Sequence, residues 1–194
     1  MVALGNAYAA RGYVAASISY RLVGDDPPTE AFAHDPSSAQ SVAAARVDAA
    51  RAVEWMRDNA ASYGIDPDRI AMGGYSAGAI TSMGTAYRDA GVDRADVQAV
   101  LSLSGGLYGL ESIIEADEAP LIMIHGTADL TVSFSLAEAI EAQALSVDLI
   151  HEFYPLEGVG HGTPSVLVST VVDGITLADR IRNFLYVQLG LEAL

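Results

Sequence analysis

The segment Arg69-Ile70-Ala71-Met72-Gly73-Gly74-Tyr75-Ser76-Ala77-Gly78-Ala79-Ile80 constrains the fold of this chain more than any other. An apolar run leads into Gly-Tyr-Ser-Ala-Gly and a helix-compatible run leads out, so the backbone must pass from strand to helix within a single sharp turn. The central residue of such a turn takes strained dihedrals, and Gly74 and Gly78 are small enough for neighbouring backbone to approach. A serine held there projects outward, beside the start of a helix that carries free N–H groups and a partial positive charge. The competing reading is an ordinary glycine-rich turn.

The same alternation runs along the whole chain. Apolar stretches rich in Val and Ile at 13–20, 69–73, 97–102, 121–125 and 148–154 alternate with helical patterns at 38–63, 77–90, 135–144 and 175–189. Five mostly parallel strands covered by helices are expected, an α/β class. In the first long helix Val42, Val47, Ala50, Val53, Trp55 and Met56 form the expected buried stripe, and Gly64 marks its stop. Residues 24–38, with paired Pro and acidic side chains, read as the one substantial irregular loop. At 194 residues and 51% hydrophobic content, one compact domain over residues 1–194 is the expectation.

Composition excludes several functions. The net charge is −15 and every basic residue is Arg, so the surface repels phosphate backbones and nucleic-acid binding is not expected. With no Cys, disulfides, thiolate nucleophiles and Cys-based metal sites are excluded together. There is no His-Glu-x-x-His or comparable ligand cluster, so neither a metal nor another cofactor is expected. The chain opens without a basic, apolar leader and contains no run of about 18 apolar residues. A soluble protein without a membrane span is therefore expected, with the cytoplasm favoured.

A serine hydroxyl needs a base, and four histidines compete for that role. His161 lies in the glycine-flanked loop Gly158-Val159-Gly160-His161-Gly162, after the last expected strand, where an imidazole can swing over the end of the sheet. His151 is inside a strand, His125 precedes the turn Gly126-Thr127-Ala128-Asp129, and His34 sits in the Pro-rich loop at the possible border of a pocket. His161 fits the base best. The imidazole in turn needs a carboxylate to hold its tautomer. Asp129 stands at the carboxyl end of a buried strand, where open α/β sheets place their sites. A turn or helix-capping aspartate is the alternative reading. Asp148 is at the wrong end of its strand, and Asp117 lacks strand support. Ser76, Asp129 and His161 then follow one another in the chain order that this nucleophile motif requires.

Gly12 to Leu22, Tyr63-Gly64-Ile65-Asp66-Pro67-Asp68-Arg69-Ile70, Gly74-Tyr75-Ser76-Ala77-Gly78, His125-Gly126-Thr127-Ala128-Asp129 and Gly160-His161-Gly162 together resemble the α/β-hydrolase superfamily. The likeness is to small carboxylesterases of the dienelactone hydrolase and hormone-sensitive-lipase kinds, with their acetyl-xylan and feruloyl esterase relatives. It implies a three-layer α/β/α sandwich with a nucleophile elbow at Ser76 and a Ser76-Asp129-His161 triad. It also implies a small-molecule ester substrate, and the N–H of Ala77 as an oxyanion donor. Tyr75, Leu107 and Tyr108 are candidate substrate-lining residues, with ordinary packing as the alternative for Leu107 and Tyr108.

In the families it resembles, further strands and a His-Gly-Gly-type oxyanion loop precede the segment like 13–22, whereas this chain begins near the helix before it. An amino-terminally truncated version of the fold is therefore expected. An uncovered sheet edge follows from this, and with it a homo-oligomer. Lack of a second oxyanion donor typically costs about 10²- to 10³-fold in turnover. Short acyl groups are expected because no cap domain is inserted. The rival readings are an impaired scaffold that binds a partner through its edge, and a peptidase or thioesterase using the same triad.

Overall fold

The computed structural model describes residues 2–22, 25, 39–87 and 95–191, so His34 and most of the loop 24–38 lie outside the described residues. Four parallel strands make the main sheet: β1 (Ala71–Tyr75), β2 (Ala99–Leu103), β3 (Leu121–Gly126) and β4 (His151–Leu156), in the order β1-β2-β3-β4. Alternation along the buried strands sends side chains to two separate cores. Val100, Leu121 and Met123 face α2 (Ala39–Asp58), α4 (Ala77–Ala86) and α5 (Phe134–Ser146). Leu101, Leu103, Ile122 and Ile124 face α6 (Leu177–Gln188) and α1 (Val2–Ala9). The result is a three-layer α/β/α arrangement. A single-turn helix, α3 (Ala60–Tyr63), follows α2 and ends at Gly64 in the left-handed region, as the glycine stop anticipates.

Three expectations change. Residues 13–20 form no strand and are mostly exposed. Tyr8 and Tyr13 pack edge to face at the start of this segment, and Arg21 is clamped to Asp48 of α2 at its end (2.8 Å). Because β1 is hydrogen-bonded to β2 alone among the described strands, the segment has no ladder partner, and an apolar run without a partner makes no strand. In α2 the buried stripe is built from Ala43, Ala44, Ala45, Ala49, Ala50 and Val53, while Trp55 is exposed beside Tyr63. Small side chains let α2 lie close on α4, where Gly84 meets the Arg46 side chain. Finally, the last helix begins at Leu177 rather than Ile175, because Thr176 caps it by accepting from the Asp179 N–H (3.1 Å). Ile175 instead joins β6 (Ile175–Thr176), paired antiparallel with β5 (Val171–Val172).

Candidate active site

β1 delivers the serine. Ser76 has φ 54° and ψ −120°, a strained conformation for a residue with a side chain, and α4 starts at the next residue. Gly74 is required there, since a Cβ on it would lie 2.3 Å from the Gly78 carbonyl carbon. A Cβ on Gly78 would meet open space, so the steric need expected at both glycines falls on Gly74. A serine preceding a helix normally accepts a bond from the first turn. Ser76 makes no such cap bond. Its carbonyl takes the N–H groups of Ala79 and Ile80, which leaves those of Ala77 and Gly78 with no acceptor inside the helix.

The Ser76 hydroxyl lies 2.9 Å from His161 Nε2, and His161 Nδ1 lies 2.7 Å from Asp129 Oδ2. A carboxylate only accepts, so Nδ1 carries the proton and Nε2 of the neutral ring accepts from the serine. The structure thus brings Ser76, His161 and Asp129 into one hydrogen-bonded line. The Asp129 side chain is fully buried and that of His161 is 20% exposed. Asp129 Oδ1 accepts from the N–H groups of Thr131 (2.9 Å) and Val132 (3.0 Å), closing a turn that aims Oδ2 at the imidazole. Burial works to raise the Asp129 pKa, but the bonds from His161, Val132 and Thr131 outweigh it and hold the carboxyl below the usual carboxylate range.

The loops carrying Asp129 and His161 are stitched together. Thr127 N–H donates to the Leu156 carbonyl, Ala128 N–H to that of Val159, and Gly158 N–H to the Thr127 hydroxyl (3.0, 3.0 and 2.9 Å). Gly126 permits this, because a Cβ there would lie 2.1 Å from the Val159 carbonyl oxygen. His125 is buried and donates from Nε2 to the Val132 carbonyl at 2.9 Å, with Asp129 Oδ2 a more distant 3.3 Å away. His151 bonds the Leu149 carbonyl at the start of its strand.

The substrate-lining candidates separate. The Tyr75 ring lies 5.0 Å from the His161 ring, so it flanks that imidazole. Tyr108 is half-buried at φ 54°, and burial, followed by the Asp129 charge, raises its phenol above the usual value. Leu107 is 1% exposed and packs in the core with Val100 and Ile140. Two residues that sequence reasoning overlooked, Ser104 and Thr163, are fully buried beside the backbone of His161. Their only signals were the Ser104-Gly105-Gly106 run after an expected strand and the position of Thr163 two residues beyond His161.

Among the described residues, no helix is long and apolar enough to cross a membrane, and no group of three or more His, Asp or Glu is arranged to hold a metal ion.

A family model described as BD-FAE matches residues 1–98, just over half of the 194 residues and including Ser76. No curated protein matches the chain. Among solved structures, esterase 2 of the Planctomycetes species Thermogutta terrifontis with propionate bound is similar at 24% identity and TM-score 0.57. That alignment covers 78% of this chain and 65% of the other. The same esterase phosphoramylated by tabun is similar at 25% identity and TM-score 0.59, over 77% of this chain and 66% of the other. A truncated carbohydrate esterase from gut microbiota is similar at 20% identity and TM-score 0.60, over 78% and 69%. This chain therefore spans slightly less than two thirds of the length of the first two of these structures.

Proposed function

The chain belongs to the BD-FAE family, a family of esterase-associated α/β-hydrolases, and on that premise we propose that it cleaves carboxylic esters of short acyl chain through an acyl-enzyme on Ser76. The observation that carries this reading is the hydrogen-bonded line from Ser76 through His161 to the buried Asp129. Ser76 Oγ attacks the carbonyl carbon while His161 Nε2 takes its proton. Asp129 stays ionised and stabilises the imidazolium without taking the proton. The oxyanion forms beside the Ala77 N–H, at the positive end of α4. His161 returns the proton to the departing alcohol. Water, deprotonated by the same nitrogen, then attacks the acyl-enzyme and releases the acid and Ser76.

Similarity to an esterase solved with propionate and with butyrate supports the short acyl group, and the tabun adduct of that esterase supports a nucleophile of this reactivity. Tyr75, whose ring lies beside that of His161, and Tyr108 are the side chains proposed to border the ester. A fluorophosphonate probe is expected to label the chain at Ser76, with p-nitrophenyl acetate turned over faster than the matching thioester or anilide. A folded, unlabelled chain overturns the reading in favour of a binding scaffold.

The outer edge of β1 pairs with nothing among the described strands, and we propose that two copies of the chain associate through it. Light scattering at micromolar concentration is expected to give at least the dimer mass. A monodisperse monomer refutes this.

A further inference from the structure

We propose that Ser104 is a positioning residue: its hydroxyl, backed by that of Thr163, holds the backbone of His161 where the imidazole reaches both Ser76 and Asp129. The inference rests on the triad reading and adds to it the part that fixes the base.

Ser104 directly follows β2 and has φ 52°. Left-handed backbone costs a residue with a side chain about 1 kcal/mol or more relative to glycine. Glycine occupies the next two positions, yet the strained one carries a hydroxyl. That hydroxyl lies 3.1 Å from the His161 carbonyl oxygen and 2.8 Å from Thr163 Oγ1. Both side chains are fully buried, so each needs partners from within the protein. The proton count admits one assignment that satisfies every contact. The carbonyl can only accept, so the Ser104 proton goes to His161 and the Thr163 proton goes to Ser104 Oγ. The Thr163 N–H adds a second bond to the same carbonyl at 2.9 Å.

The nucleophile is tied to the same place. Ser76 N–H donates to the Leu103 carbonyl at 2.9 Å, and Ser104 N–H anchors the strand end to the Ile124 carbonyl at 2.9 Å. Adjacent residues at the end of β2 thus hold the backbone of the nucleophile and the backbone of the base. The loop bearing His161 contains Gly158, Gly160 and Gly162; the bonds at Gly158 and Val159 fix its entry, and the Ser104 tether fixes His161 itself. Misplacement by about 1 Å can reduce turnover by as much as about 10²-fold.

Ser104→Gly separates positioning from stability, because glycine relieves the strained φ while removing the hydroxyl. Its melting temperature is expected to lie above that of Ser104→Ala, which loses the same bond and keeps the strain, with kcat on p-nitrophenyl acetate about 10- to 100-fold lower and KM within about twofold. Ser104→Ala is expected to show the same kcat loss at a lower melting temperature. Thr163→Val is expected to be slower by about tenfold, Thr163→Ser to restore the rate, and Thr163→Val added to Ser104→Gly to cost nothing further, since both act through one chain of bonds. The downfield proton signal of His161 Nδ1–H, present in the unsubstituted chain, is expected to broaden in Ser104→Gly. Normal kcat and an unchanged signal in Ser104→Gly, with the unsubstituted chain labelled at Ser76, overturn this proposal alone. An unsubstituted chain that is not labelled at Ser76 overturns the triad reading and this proposal with it.

Discussion

Ser76→Ala is expected to reduce kcat on p-nitrophenyl acetate by on the order of 10⁶-fold while the chain remains folded. The serine contributes little to the fold. Its side chain makes no helix cap, and its hydroxyl bonds only to His161 among the described contacts. Alanine carries the same penalty as serine at φ 54°, so the strain of the turn is unchanged. What disappears is the oxygen that forms the acyl bond, and with it any labelling by a fluorophosphonate. Rates measured with and without the substitution, beside matching melting curves, check the prediction. Retention of full activity by the alanine variant would sink the assignment of Ser76.

Asp129→Asn is expected to lower kcat by on the order of 10⁴-fold, and the reason lies in the turn that holds the carboxylate. Oδ1 accepts from the N–H groups of Thr131 and Val132, so the asparagine oxygen is held in that position. Its NH₂ group then faces His161 Nδ1, where a donor meets the ring. The imidazole answers by moving its proton to Nε2, and a protonated Nε2 cannot take the serine proton. KM is expected to change little, because the aspartate is buried away from the ester.

The same substitution has a measurable signature in acid. The folded-state pKa of Asp129 is depressed, so its contribution to stability is fully present above the unfolded value of ~3.9 and is lost as pH falls through the lower folded value. Asp129→Asn is therefore expected to flatten the fall in melting temperature below about pH 4 relative to the unsubstituted chain. An equally steep fall in both would contradict the depressed pKa.

The sequence was most legible where the determinants are local. The run before Gly-Tyr-Ser-Ala-Gly and the helix after it identified the strand-to-helix turn at Ser76, since strand, strained residue and helix start lie within a dozen positions. The carboxyl end of β3 was legible for the same reason, from the buried run that precedes Gly126. Residues 13–20 misled, because an apolar run suggests a strand but says nothing of whether a neighbour exists to pair with it. Trp55 misled in a similar way: the helical stripe suggested a core residue, but α4 selects the alanine face of α2. Ser104 and Thr163 left almost no trace, since hydroxyls as ordinary as theirs gain meaning only from what lies against them in space.

By itself the sequence determined the α/β class, the strand-to-helix turn at Ser76, and the chain order Ser76, Asp129, His161. These depend on backbone preference and on the periodicity of burial, which act over a few neighbouring residues. Only the tertiary structure decided that Ser76 and His161, 85 positions apart, meet at 2.9 Å. It also decided that a buried serine at the end of β2 bonds the His161 carbonyl. A hydrogen bond between distant residues is accurate to tenths of an ångström only after the sheet has packed, because the register of the strands and the path of the loops set the distance.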